Sequence, residues 1–259
     1  MRVRLIFSLN NKGAYIPFHH QNLLSGLIRD NMQDTELQSY TYYNFSGLKG
    51  QTKISRLGLH FYSTKVTLVL SSPNKTWIDT LLKSIFTQKT LQVGNLQLSP
   101  ESVEQEAPPS FAPQTKYVCI SPLVILNSEN DDYQAKKFIS PEENIFSDLL
   151  YETTMSQMES TKLYDSTQVA NFYRFQIVPD KQYLEKIKKE DKKFARIYIS
   201  QQGRVKYEFR GYTFPFVFFA DEAVQKFVFE CGLGCYTNEG FGMIDVGNME
   251  QKNISTYSW

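Results

Sequence analysis

The sequence predicts an α+β fold made of two tandem βαββαβ units. Three observations carry that prediction. Short β-branched or aromatic runs alternate apolar with polar residues. Longer stretches with apolar residues at helical spacing fall between them. The strand–helix–strand–strand–helix–strand order occurs twice, on either side of the segment Pro100–Pro113, which holds Pro108-Pro109 and reads as a linker.

In chain order, Arg2–Leu9 sets Val3, Leu5, Phe7 and Leu9 against polar residues and reads as a half-buried strand. Pro17 opens a helical stretch with Leu23, Leu24, Leu27 and Ile28 on one face, since proline suits a first helical turn. Tyr42–Phe45 and Val66–Leu70 read as strands. Ser71-Ser72-Pro73-Asn74 signals entry into a helix carrying Trp77, Ile78, Leu81, Leu82 and Ile85, and Leu91–Leu98 returns as a strand. After the linker, Tyr117–Leu126 is a strand, and Ser140-Pro141-Glu142-Glu143 caps a helix through Leu149, Leu150 and Met155. Phe172–Val178, Phe194–Ser200, Val205–Phe209 and Phe214–Phe219 read as strands. Asp221-Glu222 starts a helix with Val224, Phe227 and Val228, and Phe241–Val246 closes the sheet. Each half is a split βαβ unit of the ferredoxin-like, RRM-like type, with domains at 1–107 and 114–259.

Composition narrows the function. A chain of 259 residues, 41% hydrophobic, buries a full core, and no apolar run approaches the ~20 residues that cross a bilayer. The N-terminus lacks the apolar core of a signal peptide. Cys119, Cys231 and Cys235 have no metal-site spacing and do not suggest a disulfide framework; Cys231 and Cys235 read as packing residues beside the glycines, in a reducing, cytoplasmic compartment. The net charge of +1 is small for a phosphate binder. The acids are bunched, however, in Glu101–Glu106 and Asp131-Asp132, and the bases recur in two blocks. The first is Lys49, Lys53, Arg56 and Lys65; the second is Arg204, Lys206 and Arg210. Either block is a phosphate contact or a solvated strand face. The mixed-sign run Lys186–Lys193 reads as an exposed loop or helix end.

The run Gly232-Leu233-Gly234-Cys235-Tyr236-Thr237-Asn238-Glu239-Gly240-Phe241-Gly242-Met243 sets four glycines between a helix and a terminal strand. Glycine at that density permits positive φ and close backbone approach. Mononucleotide glycine loops run from a strand into a helix, and here the order is reversed. The run is therefore read as a loop along a nucleic-acid backbone, touched through Gly232, Gly234, Gly240, Gly242 and the side chains of Tyr236, Thr237 and Asn238.

This G-x-G, polar stretch and G-F-G-M resembles the glycine-rich loop of the CRISPR-associated endoribonucleases that cut repeat RNA, part of a repeat-associated RNA-binding superfamily. Met1–Phe7 resembles that family's opening strand, and Pro17–Ile28 its first helix. Tyr43-Asn44-Phe45-Ser46-Gly47-Leu48 is similar to its F-S-x-L strand. Tyr117–Ile125, with Ser121-Pro122-Leu123, resembles the start of its second domain. The likeness runs from the first residue to about Val246.

The resemblance implies cleavage of CRISPR repeat RNA without metal or other cofactor. The ribose 2′-hydroxyl attacks the neighbouring phosphorus and expels the 5′-oxygen, leaving a 2′,3′-cyclic phosphate and a 5′-hydroxyl. It implies repeat RNA as partner, with other subunits of an effector complex as further partners, no membrane, and a monomer or homodimer. Such a reaction needs a base near the 2′-oxygen, a cation near the phosphorane and an acid near the leaving oxygen. The histidines are His19, His20 and His60. His20, at the start of the first helix, is the candidate base or acid, with capping or packing of that helix as the alternative. Tyr43 is the reserve catalytic group or a sheet aromatic, and Lys53 or Arg29 is the candidate cation. Arg29, Lys49 and Arg56 are candidate phosphate contacts, with Arg204, Lys206 and Arg210. His60, between Leu59 and Phe61, is read as an outward or edge residue outside the catalytic set. In larger relatives a catalytic histidine and lysine sit between the first helix and the F-S-x-L strand; here Asn31–Tyr42 contains neither residue type. A noncatalytic RNA-binding member of the same fold and a protein-interaction subunit stay open as alternatives.

Overall fold

The computed structural model describes residues 1–126, 139–190, 195–202, 205–247 and 254–256, with the backbone alone for 195–197, 199–202, 205–208 and 254–256. The chain divides into two compact units. The first holds Met1–Pro108, Asn238–Gly240 and a terminal strand; the second holds Pro109–Thr237 and the segment that follows from Phe241.

The first unit contains β1 (Arg2–Leu9), β2 (Tyr15–Ile16), α1 (Gln21–Met32), β3 (Asn44–Phe45), β4 (Thr52–Ile54), β5 (Leu59–Phe61), β6 (Lys65–Ser71), α2 (Lys75–Thr87), β7 (Leu91–Val93) and β8 (Leu96–Glu106). The second contains β9 (Gln114–Cys119), β10 (Leu123–Val124), α3 (Ile145–Ser160), α4 (Ser166–Ala170), β11 (Phe175–Pro179), α5 (Lys181–Lys189), β12 (Ala195–Gln202), β13 (Val205–Tyr212), β14 (Pro215–Ala220), α6 (Glu222–Cys231) and β15 (Ile244–Val246). The chain then returns to the first unit as β16 (Ile254–Thr256), beside β8.

In the first unit the main sheet runs β16-β8-β1-β6-β3, all pairs antiparallel, with β7 folded back on β8. Strands β8, β1, β6 and β3 are the fourth, first, third and second of a βαββαβ unit. Sequence alternation decides which face is covered: Val3, Leu5, Phe7 and Leu9 are buried against α1 and α2, together with Leu24, Ile28, Trp77, Leu81 and Leu82. Asn74 caps α2 by accepting from the Trp77 N–H at 3.1 Å. The helices are tied by buried Asn31, whose Oδ1 accepts from Ser84 Oγ at 2.9 Å and from Gln88 Nε2 at 2.7 Å.

The bunched acids of β8 are cross-strand partners. Glu106 and Glu104 lie opposite Arg2 and Arg4 on β1. Glu106 meets Arg2 at 3.3 Å and Arg4 at 2.9 Å, and Lys65 is paired with Glu101. Lys65 therefore leaves the first basic block, its charge already matched. The strand also corrects the linker reading: Pro100–Glu106 is sheet, and the non-strand passage begins at Ala107.

The second unit repeats the order as a sheet β11-β14-β9-β15, its second, third, first and fourth strands. Aromatics fill it: Tyr117 stacks on Phe216 at 5.9 Å, and Phe146 meets Phe214 edge-on at 6.0 Å. Tyr117 donates to Gln225 Oε1 at 3.0 Å from within this core. The sequence offers more strand-like runs here than one βαββαβ unit needs. The surplus pair, β12 and β13, leaves the main sheet and forms a long hairpin that joins β10 in a separate three-stranded sheet. A helix absent from the sequence reading, α5, precedes it, and Lys186, Lys188 and Lys189 form its last turn; residues 191–193 of that run lie outside the described residues.

Among the element boundaries that differ from expectation, three do so for local reasons. Pro17 lies four residues ahead of α1, whose N-cap is His20. Ser140–Glu143 forms a turn, with the Ser140 N–H donating to Glu143 Oε1 at 2.8 Å, and α3 begins beyond it at Ile145. The closing strand starts at Ile244, because Phe241–Met243 belongs to the glycine turn.

Candidate nucleic-acid interface

The three catalytic candidates occupy different environments. His20 is 4% exposed. Its Nδ1 lies 3.1 Å from the Pro17 carbonyl, and its Nε2 accepts the Leu48 N–H at 3.1 Å. A carbonyl accepts only, so Nδ1 carries the proton and the lone pair on Nε2 is spent on the backbone. Burial pushes the imidazole pKa below its usual value, outweighing the Pro17 hydrogen bond. Gly47 makes room for the ring: a Cβ there would lie 3.1 Å from Nε2. His20 is a cross-brace between the start of α1 and the segment after β3. It has no free nitrogen for proton transfer, which corrects the catalytic expectation in favour of the packing alternative.

Tyr43 is also a packing group. Its ring stacks on Trp77 at 4.1 Å, and burial pushes its phenol up to about 12; Arg29 opposes the rise and Glu239 adds to it. A phenol that holds its proton this tightly is no base near neutrality. Arg29 is exposed in the last turn of α1, where the helix dipole favours a cation.

Lys53 stands in the open. It lies on β4, which pairs with β5, and β5 pairs with β2 to make a second, small sheet in the first unit. Lys49, Lys53 and Arg56 are all exposed on this hairpin or its approach, and the Lys53 Nζ sits 5.0 Å over the Tyr62 ring. Lys49 is fixed by backbone bonds to Thr67 in both directions, at 2.9 Å each. Ile54 and Leu57 are 78% and 61% exposed at the same tip. His60 is on β5, the central strand of this sheet, so it is not an edge residue.

The second basic block lies on the other hairpin. Arg210 is half-buried on β13. Lys206 takes its place in the same strand opposite Gln201, and Arg204 lies outside the described residues. Lys53 of the first block, and Lys206 and Arg210 of the second, thus lie on strands outside the two main sheets.

The glycine run proves to be internal. Gly232 terminates α6 with φ 91°, its N–H bonded to Val228 O at 2.8 Å. The Leu233 N–H donates to Gly242 O at 2.9 Å, Gly242 to Pro122 O at 2.7 Å, and Cys235 to Val124 O at 2.8 Å. Gly234 and Gly242 adopt φ of 88° and 70°, and a Cβ on them would collide with the carbonyl oxygens of Val124 and Leu233. Gly240 is closed in by the Phe45 ring. All four glycines are buried. Tyr236 packs its ring 4.8 Å from Phe209, Thr237 is buried, and Asn238 is half-buried. The expectation of an exposed loop is corrected: positive φ serves close packing inside the protein.

A groove of about 1260 Å³ opens in the second unit beside β11 and α3. Its lining carries six carboxylates, Glu142, Asp148, Glu185 and Glu222 among them, against Arg174 and Lys181. That balance makes the groove unfavourable for phosphate. Cys119 and Cys231 are buried free thiols, Cys119 pushed up to about 12 by burial. No helix among the described residues is long and apolar enough to cross a membrane.

Two antiparallel βαββαβ sheets, each with its helices on one face and a basic hairpin beside it, define an α+β protein with tandem ferredoxin-like domains. The family model described as CRISPR associated protein Cas6, C-terminal, matches residues 104–246. The chain belongs to the Cas6 family. It is 23% identical to the CRISPR-associated endoribonuclease Cas6 1 of Methanocaldococcus jannaschii over 98% of this chain and 94% of that protein. A solved structure described as CRISPR associated protein Cas6 superposes with a TM-score of 0.75 at 20% identity, covering 96% of this chain and 99% of that one. A Cas6-related protein of Pyrococcus furiosus gives 0.77 at 18% identity, over 97% and 99%. An RAMP protein binding different RNA substrates gives 0.78 at 17%, over 96% and 100%.

Proposed function

We propose that this protein binds CRISPR repeat RNA and cleaves it without a metal, by attack of a ribose 2′-hydroxyl on the adjacent phosphorus, to give a 2′,3′-cyclic phosphate, a 5′-hydroxyl and matured guide RNA. The observation that carries the reading is the family match joined to the position of the two basic blocks. Lys53 stands on β4 and Lys206 and Arg210 on β13, strands outside the main sheets along which a backbone of phosphates can lie. Lys49, Lys53 and Arg56 contact phosphates from the first hairpin, and Arg204, Lys206 and Arg210 from the second. Arg29 adds a cation at the end of α1. In this reading the domain limits are 1–107 and 114–259 apart from Asn238–Gly240 and β16, which join the first unit, and the protein works as a monomer or homodimer in the cytoplasm.

A second reading has an observation of its own. Both His20 and Tyr43 are engaged in packing, which favours a noncatalytic binder that holds the repeat or a guide-RNA end within an effector complex. One assay separates the two. Incubated with a panel of end-labelled CRISPR repeat RNAs in EDTA, a nuclease yields fragments with cyclic phosphate ends. A binder yields a shifted band and intact RNA. Absence of both would reject either reading.

A further inference from the structure

The small sheet β2-β5-β4 carries an arrangement that neither alternation nor motif spacing announced. Its register sets Tyr15 opposite His60 and His60 opposite Lys53. Directly opposed residues of antiparallel strands leave the sheet on the same side. The other side holds buried Ile16 and Phe61, with Thr52 and Ile54 exposed at its β4 edge, while on this side Tyr15 and His60 are half-buried and Lys53 is exposed, so the row reaches solvent. Tyr62, 44% exposed, follows His60 by two residues and lies under the Lys53 Nζ. Ser55 follows Lys53 by two.

Within this row His60 is held and aimed. Its Nδ1 is 2.9 Å from the Gly13 carbonyl, which fixes the proton on Nδ1. Its Nε2 is left as acceptor, 2.8 Å from Ser55 Oγ. The Tyr15 ring lies against the imidazole at 5.5 Å. The contrast with His20 is chemical. His20 gives its lone pair to a buried backbone N–H, whereas His60 gives it to a hydroxyl at a half-open surface. A hydroxyl is also what a ribose 2′-position presents.

We infer that this sheet face is the cleavage site, with His60 as general base and Lys53 as the cation and acid; the inference rests on the repeat-RNA cleavage reading. The substrate 2′-hydroxyl takes the place of Ser55 Oγ at Nε2. The 2′-proton passes to Nε2 as the 2′-oxygen–phosphorus bond forms. The phosphorus–5′-oxygen bond breaks, and the departing oxygen takes a proton from the Lys53 ammonium. His60 leaves as imidazolium and Lys53 as amine, and exchange with solvent restores both. Tyr15 and Tyr62 offer ring faces to the flanking bases, and Arg56, in the adjoining turn, lies close to the phosphate path.

The test uses the full chain, CRISPR repeat RNAs in EDTA, and the same RNA with sulfur replacing the bridging 5′-oxygen at the mapped cut. Sulfur leaves without a proton. His60→Gln is expected to slow cleavage about 10²- to 10⁴-fold, with repeat-RNA affinity within about twofold of wild type, and to stay slow on the sulfur substrate. Lys53→Ala is expected to be slow on the oxygen substrate and to recover the acid's share of the rate on sulfur. His60→Ala should regain rate with added imidazole, which a structural histidine would not do. Wild-type cleavage by His60→Gln overturns the inference alone. Recovery of His60→Gln on sulfur overturns the assignment of base and acid. Wild-type protein that binds repeat RNA and leaves every repeat intact overturns the cleavage reading, and this site with it.

Discussion

Replacing His20 by alanine separates a structural histidine from a catalytic one. The substitution orphans the Leu48 N–H, which donates to Nε2 from a buried position. An unmatched buried donor costs about 1–3 kcal/mol, and the lost bond at the Pro17 carbonyl about 1 more. A loss of about 2–4 kcal/mol follows, lowering the melting midpoint by ~2–4 °C per kcal/mol for a chain of this size, or roughly 5–15 °C. The pH dependence carries the same signature. Because the folded pKa of His20 lies below its ordinary value, the unfolded chain binds this proton first as pH falls. Stability from this group is fully present above about pH 6.5 and declines as pH drops toward the folded pKa, at up to about 1.4 kcal/mol per unit. Thermal unfolding followed by circular dichroism from pH 8 to pH 5 should show that decline in wild type, and His20→Gln should flatten it. Cleavage by refolded His20→Ala at low temperature should stay within a few-fold of wild type. A variant that melts within 2 °C of wild type yet loses cleavage a hundredfold would refute the bracing role and return His20 to the chemistry.

Two glycine substitutions should act in opposite senses. Gly242→Ala, at φ 70° with the Leu233 carbonyl in the way, is expected to lower the melting temperature by about 10 °C, from left-handed strain and broken hydrogen bonds of roughly 3–4 kcal/mol together. Gly26→Ala, inside α1 with nothing within 4 Å of the new Cβ, should raise it by about 2–4 °C, reflecting helix propensity of ~1 kcal/mol; equal melting of the two proteins would contradict the packing assigned to the glycine turn. Lys53→Ala with Arg56→Ala should weaken binding to all repeat RNAs and reduce the slope of log affinity against log salt by roughly one unit for each phosphate no longer neutralised, and an unchanged slope would assign both to bare surface.

The amino-acid sequence alone determined the elements whose side chains alternate or recur strongly. Val3, Leu5, Phe7 and Leu9 fixed β1 to the residue, since each must leave water on the same side. Trp77, Ile78, Leu81, Leu82 and Ile85 marked the buried face of α2. It also located both basic blocks and the glycine turn, because composition is local. Tertiary structure decided what those pieces do. The same glycine run that suits a nucleic-acid contact is consumed by Val124, Leu233 and Phe45, and local sequence holds no record of which backbone comes near. His20 and His60 look alike as single imidazoles. Their roles part at Leu48 and Ser55, because the partner offered to a lone pair depends on strand register and helix placement. Register also joins Tyr15 and His60, far apart in the chain, on one open face beside Lys53.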